Sequence, residues 1–322
     1  MTTIRERIVT LFDRIIYGIF GYFVRRITVI EARNANDVFT RIAKLRREGF
    51  LISLDVMIED VHNEDLVRRS LKFYRKLLAR TCDDDHINIV IKPTSLGLHA
   101  HDDAQTSDIQ FAKHLRELTL SPSIKRDRYG VFLTEIEIDA ESTLSMERTF
   151  RVVTRLLNAF PRLHGLFRLA LPMHIRDLTQ WCKKYQLLEH PIRIVKGAGV
   201  YNEDPSTLVV EKEMLRRYEE YFTECLARKT HPFIATMHDE KLLRKILLSA
   251  ANLGFTKQEF DIQMLYGLWV GLGRRLLREG YAVRIYVPIV LPWCKHASDG
   301  YVKRRIAMFR MLIWKYISSH KG

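Results

Sequence analysis

The sequence predicts one (βα)8 barrel, an α/β fold of the TIM type, with an extra helix at its amino terminus. Eight short apolar runs alternate with longer amphipathic stretches, the pattern of a parallel sheet covered by helices. The 322 residues contain no Pro-, Gly- or Ser-rich linker and no low-complexity tract that would divide them. Polar residues recur where the apolar runs end: Asp55, Lys92, Asp139, Lys196, Thr236, Gln263, Tyr266 and Tyr286. In a barrel these carboxyl ends converge on one mouth, where barrel enzymes place their chemistry. A doubly wound open sheet is the alternative that the same alternation allows.

The predicted strands are residues 50–54 (FLISL), 87–92 (INIVIK), 131–139 (VFLTEIEID), 165–171 (GLFRLAL), 192–197 (IRIVKG), 233–237 (FIATM), 260–267 (FDIQMLYG) and 282–288 (AVRIYVP). Each is bounded by polar or turn residues and is rich in β-branched and large apolar side chains. Helices are predicted at 64–78, 106–118, 144–158, 176–185, 208–227, 240–252, 268–279 and 301–316, where apolar residues return at helical spacing.

Residues 1–28 are expected to form a basic amphipathic helix ahead of a barrel at 29–322. Ile4, Ile8, Leu11, Ile15, Ile19 and Phe23 share a stripe, and Arg5, Arg7, Arg14, Arg25 and Arg26 supply charge. Such a helix suits an anionic membrane surface or packing against the barrel. The longest uncharged apolar stretch, IIYGIFGYFV at 15–24, is well short of the roughly 20 residues a spanning helix needs. No small-residue cleavage site marks a secretory signal. An excess of 52 Lys+Arg over 38 Asp+Glu gives +14 and points to an anionic surface, but no nucleic-acid-binding motif accompanies it, so no nucleic-acid partner is expected. Cys82, Cys182, Cys225 and Cys294 are widely spaced, which fits a reducing cytoplasm rather than a disulfide framework.

Eight motifs then stand in order: SLDVMIED (53–60), IVIKPTSL (89–96), IEIDAE (136–141), RIVKGA (193–198), FIATMHDE (233–240), DIQMLYG (261–267), RIYVP (284–288) and YVKRR (301–305). Together they resemble the proline dehydrogenase family, its monofunctional bacterial members most of all, over about residues 29–310. The resemblance implies a distorted barrel that holds FAD, oxidises L-proline to Δ1-pyrroline-5-carboxylate and passes the electrons to a membrane quinone. It also implies a cytoplasmic protein peripheral to the inner membrane.

Residue by residue, the resemblance implies that Arg304 and Arg305 clamp the substrate carboxylate, with Tyr301 beside them. A planar guanidinium makes two parallel charged bonds to a carboxylate, which lysine cannot copy. Lys92 is implied near the same carboxylate, Asp139 as the carboxylate that orients the cations, and Tyr286 over the substrate ring. For FAD, the resemblance implies Arg193, Val195, Lys196, Gly197 and Ala198 along the flavin and its phosphates. Thr236 and His238 would approach from the sixth predicted strand and Gln263 from the seventh.

The chain departs from the family's pattern at Gly199, where a tyrosine is usual unless Tyr201 takes its place, and at an inserted Met237. Leu169 stands where the family has a flavin-contacting glutamine, YVPIV replaces YVPYG, CKHASDG lengthens the approach to Tyr301, and no acid follows near Met308. Two alternatives therefore accompany proline oxidation: a flavoenzyme for another cyclic or secondary amino acid, and a non-catalytic relative without FAD. No metal is expected. His99, His101, Asp102 and Asp103 form HAHDD, but the sequence offers no matching distant ligand, so a solvated loop is expected there.

Overall fold

The computed structural model describes residues 22, 25–81, 87–122, 124–197, 204–236 and 239–294. The described elements run β1 (Ile30–Glu31), α1 (Ala35–Arg47), β2 (Leu51–Val56), α2 (Glu64–Thr81), β3 (Ile87–Ile91), α3 (Ala104–Thr119), β4 (Ile136–Ile138), α4 (Thr143–Ala159) and β5 (Phe167–Pro172). They continue with α5 (Leu178–Lys184), β6 (Ile192–Val195), α6 (Glu211–Ala227), β7 (Phe233–Ala235), α7 (Glu240–Asn252), β8 (Asp261–Leu265), α8 (Val270–Arg278) and β9 (Ala282–Val290).

Strands β2 to β9 pair in chain order, all parallel, and the ring closes because β9 pairs with both β8 and β2. This is the predicted barrel, and closure excludes the open sheet. Helix starts follow local capping chemistry. Asn34, Asp103 and Asp239 each accept a hydrogen bond from a first-turn amide, of Asp37, Thr106 and Leu242. Asp103 of the HAHDD run is thus a helix cap.

Alternation divides each strand between two environments. Leu54, Ile89, Ile138, Leu171, Ile194 and Val287 are fully or almost fully buried in the layer between sheet and helices. Each contributes roughly 1.5–3 kcal/mol by leaving water. Their neighbours point into the barrel and are mostly polar: Ser53, Asp55, Asn88, Glu137, Arg168, Arg193, Gln263 and Arg284 are all buried. Leu169 pairs with Ile138 and Ile192 and belongs to the helix-facing layer, whereas Ala170, beside Arg193, faces inward. Leu169 therefore does not occupy a ring-contacting position, which corrects the reading of that departure.

Three further differences have local causes. The third predicted strand begins at Ile136, not 131, because Asp127 Oδ1 accepts from the amides of Tyr129 (2.8 Å) and Val131 (2.9 Å) and folds that stretch into a turn. Helix α1 was not predicted; its buried stripe is only Ala35, Val38 and Ile42 in a mostly charged segment. Strand β1 is two residues long and pairs Ile30 with Ile289 and Glu31 with Val290 at the carboxyl end of β9. Just before it, the Ile27 carbonyl lies against Gly267, where an added Cβ would come within 1.9 Å of the Ile27 oxygen. Residues 22 and 25–28 are helical, and the other residues of the predicted amino-terminal helix, like the helix at 301–316, lie outside the described residues. Among the described residues no helix is long and apolar enough to cross a membrane.

Candidate active site

The inward-facing side chains form three tiers. The lowest lies at the amino-terminal ends of the strands. There Arg168 makes two bonds of 2.7 Å to Glu135 and donates to the carbonyls of Ile192 (3.0 Å) and His231 (2.7 Å). Arg284 pairs with Asp261 at 2.8 Å, and both guanidiniums lie against the Phe233 ring.

The middle tier centres on Glu137. It accepts from Ser53, from Gln263 Nε2 at 3.0 Å and from Asn88 Nδ2 at 3.3 Å, and Arg193 stands 3.5 Å away. Gln263, expected at the cofactor, is thus engaged below the mouth.

The upper tier is built by strand ends. Pro93 holds Lys92 extended, and the Ser95 amide and hydroxyl both bond the Lys92 carbonyl, at 3.0 and 2.6 Å. The ammonium consequently points into the mouth, where it pairs with Asp139 and lies 3.4 Å from Glu59 and 3.6 Å from Asp55. Asp139 also takes the Arg193 guanidinium and the Tyr286 hydroxyl, the latter at 3.0 Å, and Lys92 Nζ is 3.3 Å from the same hydroxyl. Arg193 lies over the Tyr286 ring at 4.9 Å. Four of the predicted residues thus form one buried constellation.

Burial opposes charge throughout this group, and the partners decide each outcome. At Asp139, burial raises the carboxyl but Lys92 and Arg193 outweigh it and hold it below the usual range. Lys92 is likewise desolvated, yet Asp139 and Asp55 raise it well above a normal lysine, so it stays an ammonium. Burial, with Asp139 and Asp55 beside it, keeps the Tyr286 phenol protonated. At Asp55 burial wins over Lys92 and pushes the carboxyl up to about 6.

Glu141 completes the wall. It accepts from the Thr94 amide (2.8 Å) and hydroxyl (2.7 Å) and from the Asp60 amide (3.3 Å), and burial pushes it up to about 7 against the pull of those Thr94 bonds. The folded protein thus keeps a proton that the unfolded chain releases near 4.5. The unfolded state binds fewer protons across that window, so stability falls as pH rises through it, by on the order of 3 kcal/mol. Urea midpoints at about pH 5 and about pH 8 are expected to differ clearly, and Glu141→Gln to shrink the difference while the Asp55 contribution persists.

Along β6 and β7, Val195 ends its strand half-buried, Thr236 is buried, and Lys196 pairs with Asp239 at 2.5 Å. Gly197 has φ +75°, and an added Cβ would fall 1.8 Å from His174 Nδ1, so only glycine lets the backbone close on that ring. Ala198, His238, Tyr301, Arg304 and Arg305 lie outside the described residues, as do Gly199, Tyr201, Met237 and Met308. Sequence reasoning missed Ser53, Glu59, Glu137 and Glu141. All four stand inside the quoted motifs SLDVMIED and IEIDAE, and strand alternation from Asp55 and Asp139 would have placed Ser53 and Glu137 on the inner face.

A closed parallel barrel with buried, oppositely charged groups gathered at its carboxyl-end mouth is the layout of a barrel enzyme. The proline dehydrogenase family profile matches residues 38–298, and the chain belongs to that family of oxidoreductases. It is 27% identical to proline dehydrogenase 2 of Bacillus subtilis over 288 residues, covering 87% of this chain and 84% of that one. It is 33% identical to the proline dehydrogenase of Deinococcus radiodurans over 118 residues, 36% of this chain and 35% of that one. Among solved structures it is similar to proline utilization A of Bdellovibrio bacteriovorus inactivated by N-propargylglycine, with TM-score 0.73, 20% identity and 88% of this chain covered. The corresponding protein of Corynebacterium freiburgense gives TM-score 0.68, 17% identity and 94% coverage. The chain spans 32% of the length of each of these two proteins.

Proposed function

We propose that this chain oxidises L-proline to Δ1-pyrroline-5-carboxylate, with FAD as its redox group. The observation that carries this reading is the buried constellation of Lys92, Asp139, Arg193 and Tyr286 at the mouth. Asp139 keeps Lys92 charged and aimed, so the ammonium can meet a carboxylate. Arg304 and Arg305, read from the YVKRR motif, would supply the bidentate clamp. Tyr286, held by Asp139 through its hydroxyl, presents an aromatic face to a saturated ring.

The residues present fit the cofactor. Lys196, held by Asp239, would offer a cation to the cofactor's phosphates, and Thr236 would add a hydroxyl from the neighbouring strand end. Arg193, Val195 and Gln263, with Ala198 and His238 from the motifs, complete the proposed set. Held there, FAD would supply the acceptor for the hydride leaving the ring carbon next to nitrogen. The nitrogen lone pair closes the C=N bond, and the amine proton passes to solvent.

Anaerobic mixing of the purified protein, incubated with FAD, with L-proline, hydroxyproline and pipecolate tests the reading. L-Proline is expected to bleach the flavin bands fastest, and a protein that takes up no FAD would defeat it. Arg304→Met or Arg305→Met is expected to raise KM about tenfold or more, the loss of one charged bond being worth about 1.5–3 kcal/mol. Electrons are proposed to leave for a membrane quinone, with a cytoplasmic protein held peripherally by residues 1–26. Cosedimentation with anionic vesicles is expected to fall at high salt and to be lost when those residues are removed.

A further inference from the structure

Outside the mouth, the loops that follow β2 and β3 bring together side chains that the proposed oxidation does not use. One ligand atom each from Asp60, His62 and His99 lies within 4.8 Å of the other two. The two imidazoles stack with centroids 5.5 Å apart and planes 25° from parallel, and His62 Nε2 is 2.9 Å from Asp60 Oδ1. This cluster supplies the distant partner that HAHDD lacked as a sequence, because Asp60 and His62 approach from a different loop.

The arrangement is held from below. Asp60 sits at φ +54°, a conformation that favours glycine or asparagine, and its amide donates to Glu141. Glu141 in turn accepts both bonds from Thr94, just beyond β3. One buried carboxyl thereby fixes the first loop to the start of the second. The side chains of Asp60 and His62 themselves are largely exposed, which leaves them free to turn towards an ion.

We propose that Asp60, His62 and His99 bind a divalent transition metal of the zinc class. Two imidazole nitrogens and one carboxylate oxygen suit borderline cations such as Zn2+ or Co2+, whereas Mg2+ and Ca2+ require oxygen sets. Bond lengths of about 2.0–2.1 Å place tetrahedral ligand atoms about 3.3 Å apart, a contraction that side-chain rotation alone can supply. Water takes the remaining position. The ion would clip the two loops together at the rim, and Glu59, next to Asp60, is the residue that faces Lys92. The site stands independently of the proline reading.

The test is calorimetric titration of ZnCl2 into chelator-treated full-length protein, repeated for His62→Asn, His99→Gln and, as a neighbouring control, His101→Gln. Binding of one ion is expected, weakened at least about tenfold in the first two variants and unchanged in the third. CoCl2 is expected to give the visible absorption of a tetrahedral nitrogen and oxygen site in the unaltered protein, and a millimolar excess of Mg2+ to leave it in place. No saturable binding by the unaltered protein, equal binding by both His62→Asn and His99→Gln, or displacement by Mg2+ would each overturn the proposal. Unchanged far-ultraviolet circular dichroism of the variants keeps a folding defect from imitating loss of the site.

Discussion

An Asp139→Asn variant is expected to lose about a hundredfold or more in kcat/KM for L-proline, with a drop in stability of roughly 3–5 kcal/mol. Among the described residues, Asp139 is the one group that touches Lys92, Arg193 and Tyr286 together. Asparagine keeps the shape and removes the charge, so two buried cations lose their principal counter-ion. Their remaining acids are farther off, Glu59 and Asp55 at 3.4 and 3.6 Å from Lys92 and Glu137 at 3.5 Å from Arg193. Steady-state kinetics at saturating FAD, beside urea unfolding, separates the two effects. Turnover within twofold of the unaltered protein would show that Asp139 does not position the constellation.

The second large effect is expected far from the chemistry. Arg168→Met should cost roughly 3–5 kcal/mol in urea unfolding while the surviving folded fraction keeps its substrate KM. The guanidinium is among the most deeply buried side chains, and its loss leaves Glu135 without its counter-ion, with only Asn88 Nδ2 still donating to it among the described side chains, and removes the donor to the carbonyls of Ile192 and His231 at the barrel floor. Arg168→Lys is expected to recover little, because one ammonium cannot span a carboxylate and two carbonyls with the geometry of a planar fork. Adding Glu135→Gln to Arg168→Met should cost less than the two single changes summed, since the carboxylate left unpaired is then neutral.

How much of this was legible in the sequence differs by layer. The strands and most helices were readable because the helix-facing residues, such as Leu54, Ile138 and Ile194, are a continuous apolar signal at the right period. The inner face was read only at strand ends. Ser53, Asn88, Glu137 and Arg168 are single polar residues inside apolar runs, and their partners are strands away, so the network exists only after closure. Lys92, Asp139 and Tyr286 were legible because the motifs carry them, whereas the bonds of Gln263 to Ser53 and Glu137 and the outward facing of Leu169 were not. A motif gives residue order, whereas facing is set by register. The loop cluster at Asp60 was invisible since its two histidines, His62 and His99, lie 37 positions apart and nothing periodic links them.

The two-residue strand β1 has a geographical meaning. It joins β9 beside Ile289 and Val290, at the mouth end of the barrel, and the Ile27 carbonyl rests on Gly267 just beyond β8. The described segment at residues 25–27 therefore sits at the rim and not at the floor where Arg168 lies. A molecule moored to lipid through the stretch upstream of it would have its opening turned towards the bilayer and its floor towards water. Under that mooring, an oil-soluble electron carrier would meet the barrel on the side of the Lys92 constellation, and the tether would work as a compass needle as much as an anchor.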